Sequence, residues 1–186
     1  NVTAEVDDSE IRVQALKIQA EGKQGISSFT IGAGVAGIGA GVAGVVTVSE
    51  INSKTKAALS ASDADVTTLD VGANHLARTN AGNISVGGAA VGAGVGLSVG
   101  VLKDDSDTEA VIANSEVTSS GDQKLTATNK TTVTSGITAT GIAGLGAGVA
   151  GAVSVNNING RVSTDISDSA LTSTGGAITS AAKNTI

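Results

Sequence analysis

Carboxylates are the side chains of this chain best equipped for chemistry. They gather as Asp7 with Asp8, Asp63 with Asp65, and the run Asp104-Asp105-Ser106-Asp107. Two carboxylates converging in a cleft can run general acid–base hydrolysis, and several hard oxygens in one loop can hold calcium. The spacing supports neither use. The three groups share no column along the chain, and no aromatic side chain stands beside them as a sugar platform. EF-hand spacing is missing, as is the Gly-Gly-x-Gly-x-Asp repeat of calcium-binding β-rolls. They read as solvated turn carboxylates. His75, the only histidine, follows Ala73-Asn74 and reads as an exposed loop residue rather than a base or ligand. Serines are plentiful, yet no Gly-x-Ser-x-Gly elbow is present with triad partners, and no Gly-Lys-Ser/Thr accompanies the glycine-rich stretches as a phosphate cradle would require. Thr131-Thr132-Val133-Thr134 has no counterpart one period away, so a regular ice-binding threonine ladder is not expected. With no cysteine there is no disulfide, zinc-thiolate site or thiol nucleophile. The expectation is a non-enzymatic protein with no catalytic, cofactor-binding or metal residue and no cofactor.

The elements that carry these residues are unusual in composition. Among 186 residues there are 26 Gly and a single aromatic, Phe29, with no Pro, Met, Trp or Tyr. An ordinary core leans on aromatic rings burying about 150–250 Å² each, and this chain has one. Abundant Val and Ile and a mean hydropathy of +0.23 nevertheless exclude a disordered chain. Lys and Arg number 11 against 17 Asp and Glu, a net charge of −6. That balance repels phosphate backbones, and stacking platforms for single strands are missing, so nucleic acid is not an expected partner.

Self-similarity organises the chain. Gly-Ala-Gly-Val begins at Gly39, Gly92 and Gly146, offsets of 53 and 54. Val6, Leu59, Ile112 and Ile166 form a second column, each three residues ahead of Ser9, Ser62, Ser115 and Ser169. A third runs Ile18, Val71, Leu125 and Ile178. In a fourth, Val46-Thr47-Val48 and Ile51-Asn52 match Val153-Ser154-Val155 and Ile158-Asn159. The second copy departs there, because Leu97-Ser98-Val99 arrives two residues early, and Asp63-Ala64-Asp65 resembles an insertion. The repeats fall at approximately 1–51, 52–102, 103–158 and a partial 159–186. A chain that lacks Met and stops inside a repeat reads as one segment, 1–186, of a longer repetitive protein.

Period-2 alternation marks the polar-apolar segments as half-buried strands. Examples are Val2-Thr3-Ala4-Glu5-Val6 and Ile11 to Ala20, the latter with a phase change at the Ala15-Leu16 junction. Short strands between Asp/Asn/Ser/Gly turns at a fixed long period predict an all-β parallel β-helix, or β-solenoid. Equivalent residues then stack about 4.8 Å apart, and sequence columns become ladders in space. Two coils of roughly 26–27 residues per repeat suit the segments best, with three of about 18 left open. The uncharged blocks, Ile31 to Val48, Ile84 to Leu102 and Ser135 to Val155, are long enough for a membrane-span screen. Their glycine content penalises helix by about 0.8–1 kcal/mol per residue, which favours tightly stacked strands over membrane insertion.

Gly146 to Asn159, Gly-Ala-Gly-Val-Ala-Gly running into Val-Ser-Val-Asn-Asn-Ile-Asn, is followed by an Ile-x-Asp-Ser-x-Leu turn. This texture resembles the leukotoxin-like filamentous adhesins of anaerobic bacteria, large secreted repetitive proteins broadly similar to filamentous haemagglutinin and autotransporter passengers. The resemblance covers the whole chain and implies a β-helix exported to the bacterial surface, with adhesion or host-cell contact as its role. It carries no functional residue. The expected partners are neighbouring repeats of the parent chain, a host-cell surface or matrix protein, and a second copy through lateral self-association. The alternative is a membrane-active toxin segment that inserts its uncharged blocks.

Overall fold

The computed structural model describes residues 1–186, and every regular element in it is a strand. In chain order these are β1 (Val2–Asp7), β2 (Glu10–Ser60), β3 (Asp63–Ala113), β4 (Glu116–Ser119), β5 (Gln123–Ile158), β6 (Arg161–Ser167), β7 (Ala170–Ser173) and β8 (Ile178–Thr185). All pairings are parallel, in one open sheet. The chain runs as successive passes. β2 lies along the whole of β3, and β3 in turn lies along β4, β5 and β6, which together make the third pass. β1 covers the end of the first pass, while β7 and β8 begin a fourth.

Lateral partners are therefore a full sequence period apart. Val6 pairs with Leu59, Leu59 with Ile112 and Ile112 with Ile166; likewise Gly39 pairs with Gly92 and Gly92 with Gly146. Three expectations are corrected by this register. Two coils per repeat would pair positions half a period apart, whereas the β2 positions, Gln14 and Gly37 apart, pair with their β3 equivalents a whole period on. The second copy is not shortened, since Val46, Val99 and Val153 share a column and Asp63-Ala64-Asp65 pairs without interruption with Glu10-Ile11-Arg12. The third column ends differently, because Leu125 pairs with Ser180 and Ile178 sits beside Gln123. The cause lies at one bend. Two residues (Gln14 and Ala15) separate Val13 from Leu16, and two (Thr67 and Thr68) separate Val66 from Leu69. In the third pass Ser120, Gly121 and Asp122 fill that place, and in the fourth Thr174 to Ala177 do, so the offset grows from 53 to 54 to 55.

A straight strand of 51 residues would reach about 170 Å, but each pass doubles back. Ser28 Oγ meets Ser49 Oγ at 3.3 Å and Thr30 Oγ1 meets Thr47 Oγ1 at 3.0 Å, so two arms of one pass face each other. They join at a tip where Gly39, Gly92 and Gly146 hold φ of 102°, 127° and 139°, values that side-chain-bearing residues rarely adopt. The opposite corner takes Asp8, Ala61, Asn114 and Asp168 at φ 47–48°. Beside them stands a serine ladder. The Ser9 N–H donates to Ser62 Oγ (3.1 Å), Ser62 N–H to Ser115 Oγ (3.2 Å) and Ser115 N–H to Ser169 Oγ (3.1 Å). Each hydroxyl in turn donates to the carbonyl two residues back, as Ser62 does to Ser60 at 2.7 Å. The ladder gives hydrogen-bond partners to a corner where the strand ladder is interrupted. Between corner and bend lies the aliphatic core, 14 buried residues that include Leu59, Ile112, Val71, Leu69 and Val117.

Candidate functional surface

Alternation is continuous from this core to the tip, which sorts side chains strictly into an inner and an outer set. Inward positions on the first arm of the first pass run through Ile18, Ala20, Gly22 and every second residue to Ala36; on the return arm they run from Gly41 through Ala43 and Val45 to Leu59. The interior consequently changes character along the arm. Nearest the corner it is aliphatic. In the middle it is polar, and at the tip it is glycine.

The polar zone holds residues that the sequence placed outside. His75 is 3% exposed, inside a strand, with Nε2 3.1 Å from Ser53 Oγ and Nδ1 3.3 Å from Thr55 Oγ1. The expected exposed loop histidine is corrected: Ala73, His75 and Ala77 are the inward members of β3. Burial lowers its pKa from the ordinary 6.5, and the nearby Asp104 carboxylate partly opposes the shift. Asp104 is fully buried, accepting from Thr131 Oγ1 at 2.8 Å through Oδ2 while Oδ1 has no partner. It occupies the column of Ile51 and Ile158. Alternation also divides its run, with Asp104 and Ser106 inside and Asp105 and Asp107 outside, so the four cannot converge on one ion. Of the other carboxylates, Asp63 stacks between Glu10 and Glu116, a column visible only when Glu and Asp are treated as equivalent. Arg12 pairs with Glu10 beside it.

In the tip zone the arms approach until two inward columns hold glycine in every pass. Gly34, Gly87 and Gly141 form one inward column and Gly41, Gly94 and Gly148 another. A Cβ on the first three would lie 2.0, 1.9 and 2.1 Å from the carbonyl oxygens of Val42, Val95 and Val149. The aliphatic side chains of the same segments point the other way, into solvent. Val35 is 85% exposed and Ile38 86%. Along the outside of the return arm, Val42, Val95 and Val149 make one stripe, Val46, Val99 and Val153 a second, and Val48, Val101 and Val155 a third. Phe29 also faces outward, its ring covering Gly82 of the next pass at a position where a Cβ would sit 2.7 Å from Cδ2. The Gly/Ala blocks are thus tightly stacked strands, as expected, but their bulky members are not buried.

A charged band borders the valine stripes on the side away from the tip. Lys103 Nζ lies 3.4 Å from Glu50 Oε1 of the neighbouring pass and also pairs with Asp105, contacts that raise the Lys103 pKa. Asp105 is held low chiefly by Lys103, with the Asn159 side chain donating at 3.3 Å. Further along, Asp107 lies between Lys54 and Arg161 in the ladder. The chain matches no family model, no curated protein and no solved structure.

Proposed function

We propose that this chain is a β-solenoid segment of an exported bacterial surface adhesin, serving as stalk and contact surface rather than as an enzyme. One observation carries the reading. Lateral pairing continues without loss of direction from β1 to β8, so each pass is both held by its predecessor and a template for its successor. Each repeat would be a single coil one full period long, with added residues absorbed at the bend. Stacked coils convert chain length into reach, and force along the axis is shared across a ladder spanning each coil. The adhesin resemblance supplies export and surface display. A second reading, a membrane-active segment, is favoured by the outward valines. No helix is long and apolar enough to cross a membrane.

Pulling on the termini of single molecules tests the mechanical role. Coils that yield one at a time each release one period of chain, giving length increments of about 175–195 Å at the reach of extended backbone. A featureless extension with no such steps would sink the stalk reading.

A further inference from the structure

Side chains of the polar zone reach from each pass back to the one before it. His75, Asn129 and Asn184 stand in one inward column on the outgoing arms, next to Gly22 of the first pass. Ser53 and Ser106 share a column on the return arms, and Gly160 continues it in the same register. The two columns are bridged three times. His75 Nε2 lies 3.1 Å from Ser53 Oγ, Asn129 Nδ2 donates to Ser106 Oγ at 3.3 Å, and Asn184 Nδ2 donates to the Gly160 carbonyl at 2.9 Å. Each rung ties the outgoing arm of one pass to the return arm of the preceding pass. The strand register makes no such tie, since it pairs outgoing arms with outgoing arms and return arms with return arms. Two of the rungs are side-chain amides, which do not titrate. The first is an imidazole, the only one in the chain. We propose that this rung is an acid-sensitive clasp between the first and second passes, closed while His75 is neutral and released when the ring takes up a proton.

The partners of the ring set the first condition. Both nitrogens face hydroxyls, with Thr55 Oγ1 3.3 Å from Nδ1 opposite the Ser53 contact. In a neutral ring one nitrogen donates and the other accepts, whereas an imidazolium donates from both. On protonation, whichever hydroxyl was the donor must turn its proton away. Space sets the second condition. His75 is 3% exposed, and a Cβ on Gly22 would lie only 2.9 Å from Nδ1. Water cannot surround a charge there unless the passes part, and a buried charge without hydration or a close counter-charge is costly. Charge sets the third. The inward positions around the ring are Gly22, Ser53 and Thr55 of β2, Ser106 and Thr108 of the β3 return arm, and Asn129 of β5. None is ionisable. The charged residues interleaved with them, among them Glu21, Lys23, Lys54, Asp107 and Lys130, face outward. Asp104, further along the β3 return arm and bonded to Thr131, is the one titratable group turned inward, and it only partly offsets the cost of burying an imidazolium.

Protons therefore favour the parted form, in which His75 regains its ordinary affinity near pH 6.5. The parted population should rise as pH falls below that value, by at most about tenfold per pH unit for a single proton. It should level off once the clasped ring is itself protonated.

Two measurements on the native chain, run from about pH 7.5 to 5 across the range where histidine titrates, test the clasp. The single histidine gives one set of ring NMR signals, and these should titrate below 6.5. Amide hydrogen exchange, corrected for its intrinsic pH dependence, should show protection falling at 22–24, 53–55 and 73–77 while 127–131 holds. His75→Asn puts into the first rung the residue that the second and third already use. It should keep its strands by far-UV circular dichroism and lose the pH response. Asp104→Asn keeps an acceptor for Thr131, and should leave the response in place while moving the ring titration further down. A ring that titrates at or above 6.5 overturns the proposal, as does equal loss of protection at 127–131. So does a pH response that survives in His75→Asn or vanishes in Asp104→Asn, or unfolding of the whole chain as one unit over this range. Should His75→Asn fail to fold, the ring titration and the exchange pattern of the native chain decide by themselves. The clasp depends on stacked passes and not on surface display or force, so its failure and failure of the stalk reading are separable.

Discussion

Two glycine-to-alanine substitutions separated by ten residues of chain register should have opposite effects. Gly87 faces inward, and a Cβ built there sits 1.9 Å from the Val95 carbonyl oxygen, 2.3 Å from its carbon and 2.7 Å from its nitrogen. Gly44, which shares a column with Leu97, faces outward and a Cβ there meets nothing within 4 Å. All three atoms crowding Gly87 are backbone. Relief must come from moving an arm that is hydrogen-bonded to a neighbouring pass on each side. Inserting methylenes into a packed interior costs typically about 1–3 kcal/mol. With no side chain free to rotate away, Gly87→Ala belongs at or above the upper end, about 3 kcal/mol. Gly44→Ala instead removes the entropic handicap of a strand glycine and should stabilise by about 0.5–1 kcal/mol. The expected gap of roughly 4 kcal/mol is a large share of an ordinary domain's ~5–15 kcal/mol.

Urea unfolding followed by far-UV circular dichroism measures that gap in a chain without Trp or Tyr. Because repeat stacks can open locally, amide hydrogen exchange should accompany it. In Gly87→Ala, faster exchange should be confined to the tip, around residues 83–100, and leave the Leu59 and Ile112 strands protected. If the two variants share one urea midpoint, or if Gly44→Ala is the weaker protein, the arms are not in backbone contact and the glycine interior is wrong.

Other positions yield sharp expectations. Ala61 holds φ 47° where the equivalent residues are Asp8, Asn114 and Asp168, so Ala61→Asn should relieve strain and raise stability by about 1 kcal/mol in urea unfolding. Ser62→Ala removes the acceptor of the Ser9 N–H and the donor to the Ser60 carbonyl; thermal or urea unfolding should show a loss of about 1–2 kcal/mol. Burial depresses the His75 pKa, so the unfolded chain takes up its proton first. The stability that His75 contributes is fully present above the unfolded value near 6.5 and is lost as pH falls through the lower folded value. Urea midpoints should therefore drop between pH 7 and 5, and His75→Gln should flatten that part of the profile. Asp104→Asn keeps an acceptor for Thr131 while removing an incompletely bonded buried carboxylate, and should raise the urea midpoint by about 1 kcal/mol equivalent.

Columns are legible in the sequence because stacking makes equivalent positions obey one steric rule. Val6/Leu59/Ile112 and Ser9/Ser62/Ser115/Ser169 are readable for that reason, and so is the phase change at Ala15-Leu16, which is the bend. The coil size is not legible. A Gly-rich tip and a serine corner both look like turns, and nothing in residue types says whether the chain returns beside itself or one layer up. Only the inter-arm contacts, such as Thr30 with Thr47, decide that. His75 and Asp104 mislead for a related cause. Polarity ordinarily goes with exposure, but an interior that narrows between aliphatic core and glycine tip has a stretch of buried polar groups, some of them paired, as Thr47 is with Asn83, Ser53 with His75 and Asn129 with Ser106.

The outward valines follow from where the alternation is anchored. Strand phase has period 2, and changing it requires a bulge or a bend. The aliphatic core sets the phase at Ile18 and Ala20 on the outgoing arm and at Leu59 and Ala57 on the return. Between those residues and the tip no bulge intervenes in the register, so even-numbered residues stay inside on one arm and odd-numbered ones on the other. Gly32 and Gly34 are thereby committed to the interior, and Val35, Val42, Val46 and Val48 to the surface, whatever their individual hydrophobicity. The opposite phase would bury the valines but would expose Ile18 and Leu59 and hold the arms apart. Burial at the core, repeated in every pass, outweighs exposure at the tip. An exposed ladder of this kind is tolerable alone and becomes favourable once covered, which is why the same residues that look like an error of folding are the first place to look for a contact.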